Sequence, residues 1–167
     1  TEVGLRYKSA CEKGYTKACK WKTWMTPTGG DPQQAVAVFE KKCRSKEPLA
    51  CVVLGLAAGL QEGVISSGAP SPKLAYQKFS FACETRSYAP GCTHLGEMFE
   101  KGIAVPADPV KAAALYEEAC EAKDPWGCDR LASLHERGVG VTPDLQKAEK
   151  LYAHACAHGN GVSCIRQ

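Results

Sequence analysis

The sequence predicts an all-α protein: an α/α solenoid of about four antiparallel helix hairpins, disulfide-stapled at the turns between repeats. The main observation is that the ten cysteines form five close pairs, whose first members lie 32, 40, 37 and 36 residues apart. A fixed period of this size is typical of a repeat array. In addition, no segment sustains the alternation of apolar and polar residues that indicates a β-strand.

The last two repeats define the pattern. Residues 91–120 and 127–156 are identical at 13 of 30 positions when they are shifted by 36. Each repeat contains an A helix, which runs from the second cysteine of a pair to a glycine such as Gly102, where a left-handed residue ends a helix. A B helix follows and ends at the next pair. Asp108 is suited to its N-cap and Pro109 to its first turn.

The same two-helix pattern extends by position to the earlier units. The predicted helices cover residues 2–12, 17–25, 31–45, 49–61, 73–85, 91–101, 108–122, 127–137 and 144–157. We interpret residues 1–167 as a single repeat domain, with repeat junctions near 11–19, 43–51, 83–92, 120–128 and 156–164.

The cysteine spacing is explained if each pair joins two consecutive repeats. The periodicity selects the pairs Cys11–Cys19, Cys43–Cys51, Cys83–Cys92, Cys120–Cys128 and Cys156–Cys164. A separation of 8 residues is close to the smallest that reverses the chain and returns it to disulfide distance. The extra residue in the 83–92 pair is expected in the turn near Pro90. By loop entropy each bridge is worth about 2.5 kcal/mol.

Composition and charge limit the function classes. A chain of 167 residues that is 44% hydrophobic can bury a sizeable core. The formal charge of +3 is too small to predict nucleic-acid binding, and no run of 18 apolar residues predicts a membrane span. The cysteine density favours an oxidising compartment, hence a secreted or periplasmic protein, which we expect to be a monomer.

The motifs of common active sites and metal sites are missing. No cysteine pair has the short spacing of a structural zinc site or of a C-x-x-C redox site, although zinc and redox roles stay open as minor alternatives to disulfides. The S-x-x-K, G-x-S-x-G, Walker A and H-E-x-x-H motifs are also missing. We therefore expect no catalytic, metal-binding or cofactor-binding residues and no enzymatic activity.

The repeat resembles the Sel-one-like repeats, which are relatives of the tetratricopeptide repeats. The resemblance is carried by Leu95, Gly96, Gly102, Val105, Asp108, Lys111, Ala112, Tyr116 and Ala119. With its C-x7-C pairs the chain is most similar to the cysteine-rich secreted bacterial branch of that family. The resemblance implies a right-handed superhelix with a concave face lined by the A helices, and a role in protein–protein or protein–peptide interaction.

Two alternatives come from the same resemblance. Some cysteine-rich members have been linked to penicillin binding and β-lactamase activity. A related cysteine arrangement is also seen in an assembly factor of the mitochondrial intermembrane space. Fold alone does not decide between these functions.

Two sets of residues are candidates for partner binding. Trp21 and Trp24 occupy A-helix positions that are polar in other repeats, which favours either a binding hot spot or a cap on the end of the array. The second set comprises A-helix residues expected to point away from the core into a groove: Thr93, His94, Glu97, Asp129, Arg130 and Ser133.

Overall fold

The computed structural model describes residues 32–45, 47–59, 71–84 and 87–166. Over these residues it contains seven α-helices and no strand, which confirms the predicted all-α solenoid. The helices are α1 (Pro32–Arg44), α2 (Pro48–Gly59), α3 (Pro72–Glu84), α4 (Ala89–Lys101), α5 (Pro109–Glu121), α6 (Pro125–Arg137) and α7 (Leu145–Ala157). The A helices are α2, α4 and α6, and a short 3-10 helix, Ser163–Ile165, lies where another A helix would begin.

The helix boundaries lie within two residues of the predicted ones. At the starts of two A helices the difference is two residues: α4 begins at Ala89 and α6 at Pro125 rather than at the glycines that follow. Each of these helices has a proline in its first turn, where the missing N–H group is not needed for a helical hydrogen bond. The predicted helices at 2–12 and 17–25 lie outside the described residues.

The caps of the B helices are formed as the sequence predicts. The Asp108 side chain accepts a hydrogen bond from the backbone N–H of Lys111, and Asp144 accepts one from Lys147, each at 2.9 Å. At the ends of the A helices, Gly102 is left-handed with φ of 66°. These local devices fix where each helix begins and ends.

Within a repeat, the two helices meet at a small residue beneath an aromatic ring. A Cβ atom on Gly96 of α4 would lie 2.6 Å from Cε1 of Tyr116 on α5. The Tyr116 hydroxyl donates a hydrogen bond of 2.8 Å to Glu100, and Tyr152 donates one of the same length to Glu136 in the next repeat. Burial and the negative charge of Glu100 raise the pKa of Tyr116, so this phenol stays a donor.

Four of the five predicted disulfides lie in the described part of the chain, and all four are confirmed. They are Cys43–Cys51, Cys83–Cys92, Cys120–Cys128 and Cys156–Cys164, with Cα–Cα distances of 4.8, 4.6, 4.5 and 4.8 Å. The predicted Cys11–Cys19 bridge lies outside the described residues.

The extra residue of the 83–92 junction lies before Pro90. The backbone N–H of Tyr88 donates a hydrogen bond to the carbonyl of Ala82, six residues earlier. At the next junction the N–H of Asp124 donates to the carbonyl of Ala119, only five residues earlier. Pro90 itself lies inside the first turn of α4.

The loop after each A helix offers a matched pair of positions for a stability test. Ala104 and Gly140 lie 36 residues apart and have φ of 64° and 71°. This conformation strains any residue with a Cβ atom. We expect Ala104→Gly to raise the free energy of unfolding by about 1 kcal/mol. Gly140→Ala should lower it by at least about 2 kcal/mol, because its Cβ would also overlap the carbonyl oxygen of Pro109.

Denaturant unfolding with the disulfides intact measures both effects. Gly161→Ala serves as the control, because a Cβ atom there meets nothing within 4 Å. Equal effects of Ala104→Gly and Gly140→Ala, or effects of the same sign, would contradict the assignment.

Candidate functional site

Consecutive A helices present four of the candidate residues side by side. His94 and Glu97 lie on α4, and Arg130 and Ser133 lie on α6, at matching repeat positions. Arg130 forms an ion pair of 2.8 Å with Glu97, and their side chains are 39% and 23% exposed. We call these four residues the A-helix face. The ion pair shows that the face is continuous across a repeat junction.

His94 is held in place on this face by two contacts. Its ring stacks on Phe79 of α3 with centroids 5.0 Å apart, and its Nδ1 lies 3.5 Å from a carboxylate oxygen of Glu97. Burial raises the pKa of Glu97, but the hydrogen bond from His94 and the charge of Arg130 outweigh it, so this pKa lies below its ordinary value. Glu97 is therefore a carboxylate held between two donors.

A second ion pair links the same two helices and was not predicted. Arg137 on α6 contacts Glu100 on α4 at 2.8 Å, while Glu100 also accepts from Tyr116. One pattern in the sequence indicates the contact between Glu100 and Tyr116. A glutamate precedes a tyrosine by 16 residues in both repeats, at Glu100 and at Glu136.

Two of the predicted groove residues are buried, so the prediction that they point away from the core was wrong. Thr93 is 3% exposed and Asp129 is 6% exposed. Thr93 donates a hydrogen bond of 2.5 Å to the side chain of Asp124, and Asp129 accepts one of 2.6 Å from Ser163. Both residues directly follow the second cysteine of a pair, and this position faces the next repeat. Trp21 and Trp24 lie outside the described residues.

Among the described residues, two clusters have side chains of the types that bind metals. One consists of Cys120, Cys128 and His154, and the other of Cys83, Cys92 and Glu118, with ligand atoms within 4.8 Å of one another. In both clusters the two sulfurs are joined in a disulfide, so neither offers the thiolate that a soft metal ion binds.

The described α-helices have 12 or 13 residues, whereas a helix that spans a bilayer needs about 20. None of the helices in the described part of the chain has both the length and the apolar character required to cross a bilayer.

The comparison with known proteins supports the repeat assignment. The family model of the Sel1 repeat matches residues 89–124 and 127–160, which contain the helix pairs α4/α5 and α6/α7. The matched residues are two Sel1 repeats, and they make up less than half of the chain. The predicted resemblance is therefore confirmed for the last two repeats.

Solved structures extend the likeness to most of the chain. A Sel1 repeat protein from Oxalobacter formigenes is 25% identical with a TM-score of 0.71, over 81% of this chain and 54% of that protein. The chain thus spans about half the length of the Oxalobacter protein. Cysteine rich protein B from Helicobacter pylori is 28% identical with a TM-score of 0.65, over 83% of this chain and 96% of that protein.

A third structure supports the fold alone. A protective antigen of uropathogenic Escherichia coli strains with an SLR fold is 22% identical with a TM-score of 0.56, over 96% of this chain and 42% of that protein. None of the curated proteins matches the sequence. Nothing in these comparisons favours the penicillin-related or the mitochondrial alternative.

The ion pairs of Glu97 predict a pH-dependent contribution to stability. Because the pKa of Glu97 is lowered on folding, this contribution is complete above the ordinary glutamate pKa and is lost as the pH falls through the lowered value. We expect Glu97→Gln to lower the free energy of unfolding by about 0.5–1 kcal/mol at neutral pH. The difference should disappear at acid pH, once the Glu97 carboxyl is protonated in the folded protein as well. Exposed Glu121→Gln is the control, and a Glu97→Gln effect that is the same at both pH values would contradict the prediction.

The burial of Thr93 predicts a structural role for this residue. Thr93→Val keeps the shape but leaves the Asp124 carboxylate without its donor in a site that is 9% exposed. We expect a loss of about 1–3 kcal/mol in the free energy of unfolding. Ser133→Ala on the half-buried A-helix face serves as the control and should change stability by less than about 0.5 kcal/mol. A Thr93→Val protein as stable as the parent would refute this role.

Proposed function

We propose that the chain is a non-catalytic repeat scaffold that binds a protein or peptide on its A-helix face. The main observation behind the proposal is the ion pair between Arg130 and Glu97. It joins side chains of two consecutive repeats in one continuous surface. The match of two of its repeats to the Sel1 repeat supports the general role in protein interaction.

The A-helix face changes in character along the array. At the positions of His94 and Glu97, the preceding A helix carries Val53 and Leu56, which are both half-buried and apolar. Still earlier in the sequence, the equivalent positions are Trp21 and Trp24. We infer a partner that presents apolar side chains to the N-terminal part of the array and polar groups to His94, Arg130 and Ser133. In this view Trp21 and Trp24 belong to a binding hot spot.

The disulfides favour binding because they limit motion between repeats. Each described junction is closed by a bridge within 8 or 9 residues. A partner that docks across several A helices then finds them already positioned, and little conformational entropy is lost on association.

We further infer that the protein works in an oxidising compartment, secreted or periplasmic, as a single repeat domain and a monomer. Four bridges and no free cysteine in the described part of the chain support this location. The near balance of 21 basic and 18 acidic residues favours a protein or peptide partner over a nucleic acid.

A random-peptide display library selected on the oxidised protein tests the proposal. We expect peptides rich in apolar residues whose affinity falls at least about tenfold when His94→Ala and Ser133→Arg are combined, because these changes alter shape and charge at the centre of the face. Lys150→Glu, on the exposed side of B helix α7, is the matched control. If the selected peptides bind both variants equally, or compete for a site elsewhere, the A-helix face is not the binding surface.

A further inference from the structure

A histidine lies against one of the buried disulfides. His154 Nδ1 is 3.3 Å from Sγ of Cys128, which is bonded to Cys120. Because a disulfide sulfur carries no hydrogen, the imidazole must be the donor in this contact. The ring of His158 stacks on that of His154 with centroids 4.1 Å apart, and its Nδ1 donates to the His154 carbonyl at 2.8 Å. The imidazole is therefore held with its N–H directed at the sulfur.

The preceding repeat supplies a natural comparison. Thirty-six residues before His154 is Glu118, whose carboxylate lies within 4.8 Å of the sulfurs of Cys83–Cys92. Both bridges are buried, since Cys83, Cys92, Cys120 and Cys128 are 2%, 1%, 9% and 0% exposed. The two bridges thus have similar Cα–Cα distances of 4.6 and 4.5 Å and similar burial, but they differ in the group beside the sulfur: a proton donor at Cys120–Cys128 and a carboxylate at Cys83–Cys92.

We propose that the Cys120–Cys128 disulfide is a thiol–disulfide exchange site for dithiols, with His154 as the proton donor to the leaving sulfur. Cys120 is the cysteine attacked, because it is the more exposed residue of the pair, at 9% against 0% for Cys128. Cys128 is the leaving group, because it is the sulfur in contact with the imidazole. A leaving thiol that is stabilised as it departs accelerates exchange.

The exchange proceeds in two balanced steps. A thiolate of the dithiol attacks Cys120 Sγ, a new S–S bond forms, and the electron pair of the old bond leaves on Cys128 Sγ, which takes the proton from the His154 imidazolium. The second thiol of the reductant, as its thiolate, then attacks the reductant sulfur that is bonded to Cys120. This step releases Cys120 as a thiolate, which takes a proton from solvent. The protein gains two thiols and the reductant becomes a cyclic disulfide.

Opening the Cys120–Cys128 bridge loosens the helix that carries part of the candidate binding surface. Arg130, which pairs with Glu97 across the junction, lies two residues after Cys128 on the same helix. Reduction therefore removes a covalent constraint at the start of the helix that carries half of the A-helix face. The exchange site itself does not depend on the proposed function of that face.

Timed reduction of the oxidised full chain tests the proposal. The protein is treated with limiting dithiothreitol, quenched with acid at intervals and alkylated, and the opening rate of each bridge is read from peptide masses. We expect Cys120–Cys128 to open about fivefold faster than Cys83–Cys92. His154→Gln should slow the opening of Cys120–Cys128 about fivefold, and the matched variant His154→Glu should slow it at least as much. Glu118→His should accelerate the opening of Cys83–Cys92.

The opening rate of Cys43–Cys51 in the same samples is the internal reference for loosening of the whole fold. A variant that only destabilises the protein opens every bridge faster, whereas the proposal requires His154→Gln to slow one bridge alone. The proposal is overturned if the 83–92 and 120–128 bridges open at the same rate in the parent protein. It is also overturned if His154→Gln leaves their ratio unchanged.

Discussion

The close reversal of the chain at each repeat junction is the constraint on which the rest of the structure depends. A disulfide holds the end of one B helix to the start of the next A helix, and at the 83–92 and 120–128 junctions the two backbones leave no room for a side chain between them. A Cβ atom on Gly127 would lie 2.6 Å from Cβ of Ala119, and one on Gly91 would lie 2.7 Å from Cβ of Ala82. At these two junctions the glycine directly before the second cysteine therefore lets the helices approach to disulfide distance.

That constraint also decides the role of each neighbouring position. Once the second cysteine is fixed against the preceding B helix, the residue after it faces the next repeat and is buried, as Thr93 and Asp129 are. The residue two positions after the cysteine turns toward the A-helix face, as His94 and Arg130 do. The frame and the candidate surface are therefore set by the same turn, and a change in the turn would alter both.

The features that the sequence predicted well are those encoded locally or by the period. Helix ends follow from caps such as Asp108 and Gly102, and four disulfides follow from the spacing of the cysteines. The orientation of Thr93 did not follow, because an A helix packs against more than one neighbour. A stripe of apolar residues identifies the side of the helix that faces its own repeat, but it does not show which polar residue meets the side chain of Asp124 in the next one.

The contact of His154 with a disulfide was missed for a related reason. Its position in the repeat could be read from the sequence, but the neighbouring sulfur lies 26 residues away in the chain. Only the packing of α7 on the preceding junction brings the two together. The sequence therefore predicted the frame more fully than the contacts between repeats, which depend on how successive units stack.

Positions at which equivalent repeats differ carry information about function that the fold does not explain. Arg166 is the repeat equivalent of Arg130, but the equivalent of Glu97 is Ser133, which offers no carboxylate. Arg166 instead donates to the Tyr152 hydroxyl at 3.1 Å. The ion pair between Arg130 and Glu97 thus has no counterpart at the next junction, where Arg166 follows a short 3-10 helix. Because the frame does not require the Arg130–Glu97 pair, we infer that the pair belongs to the surface that the frame presents.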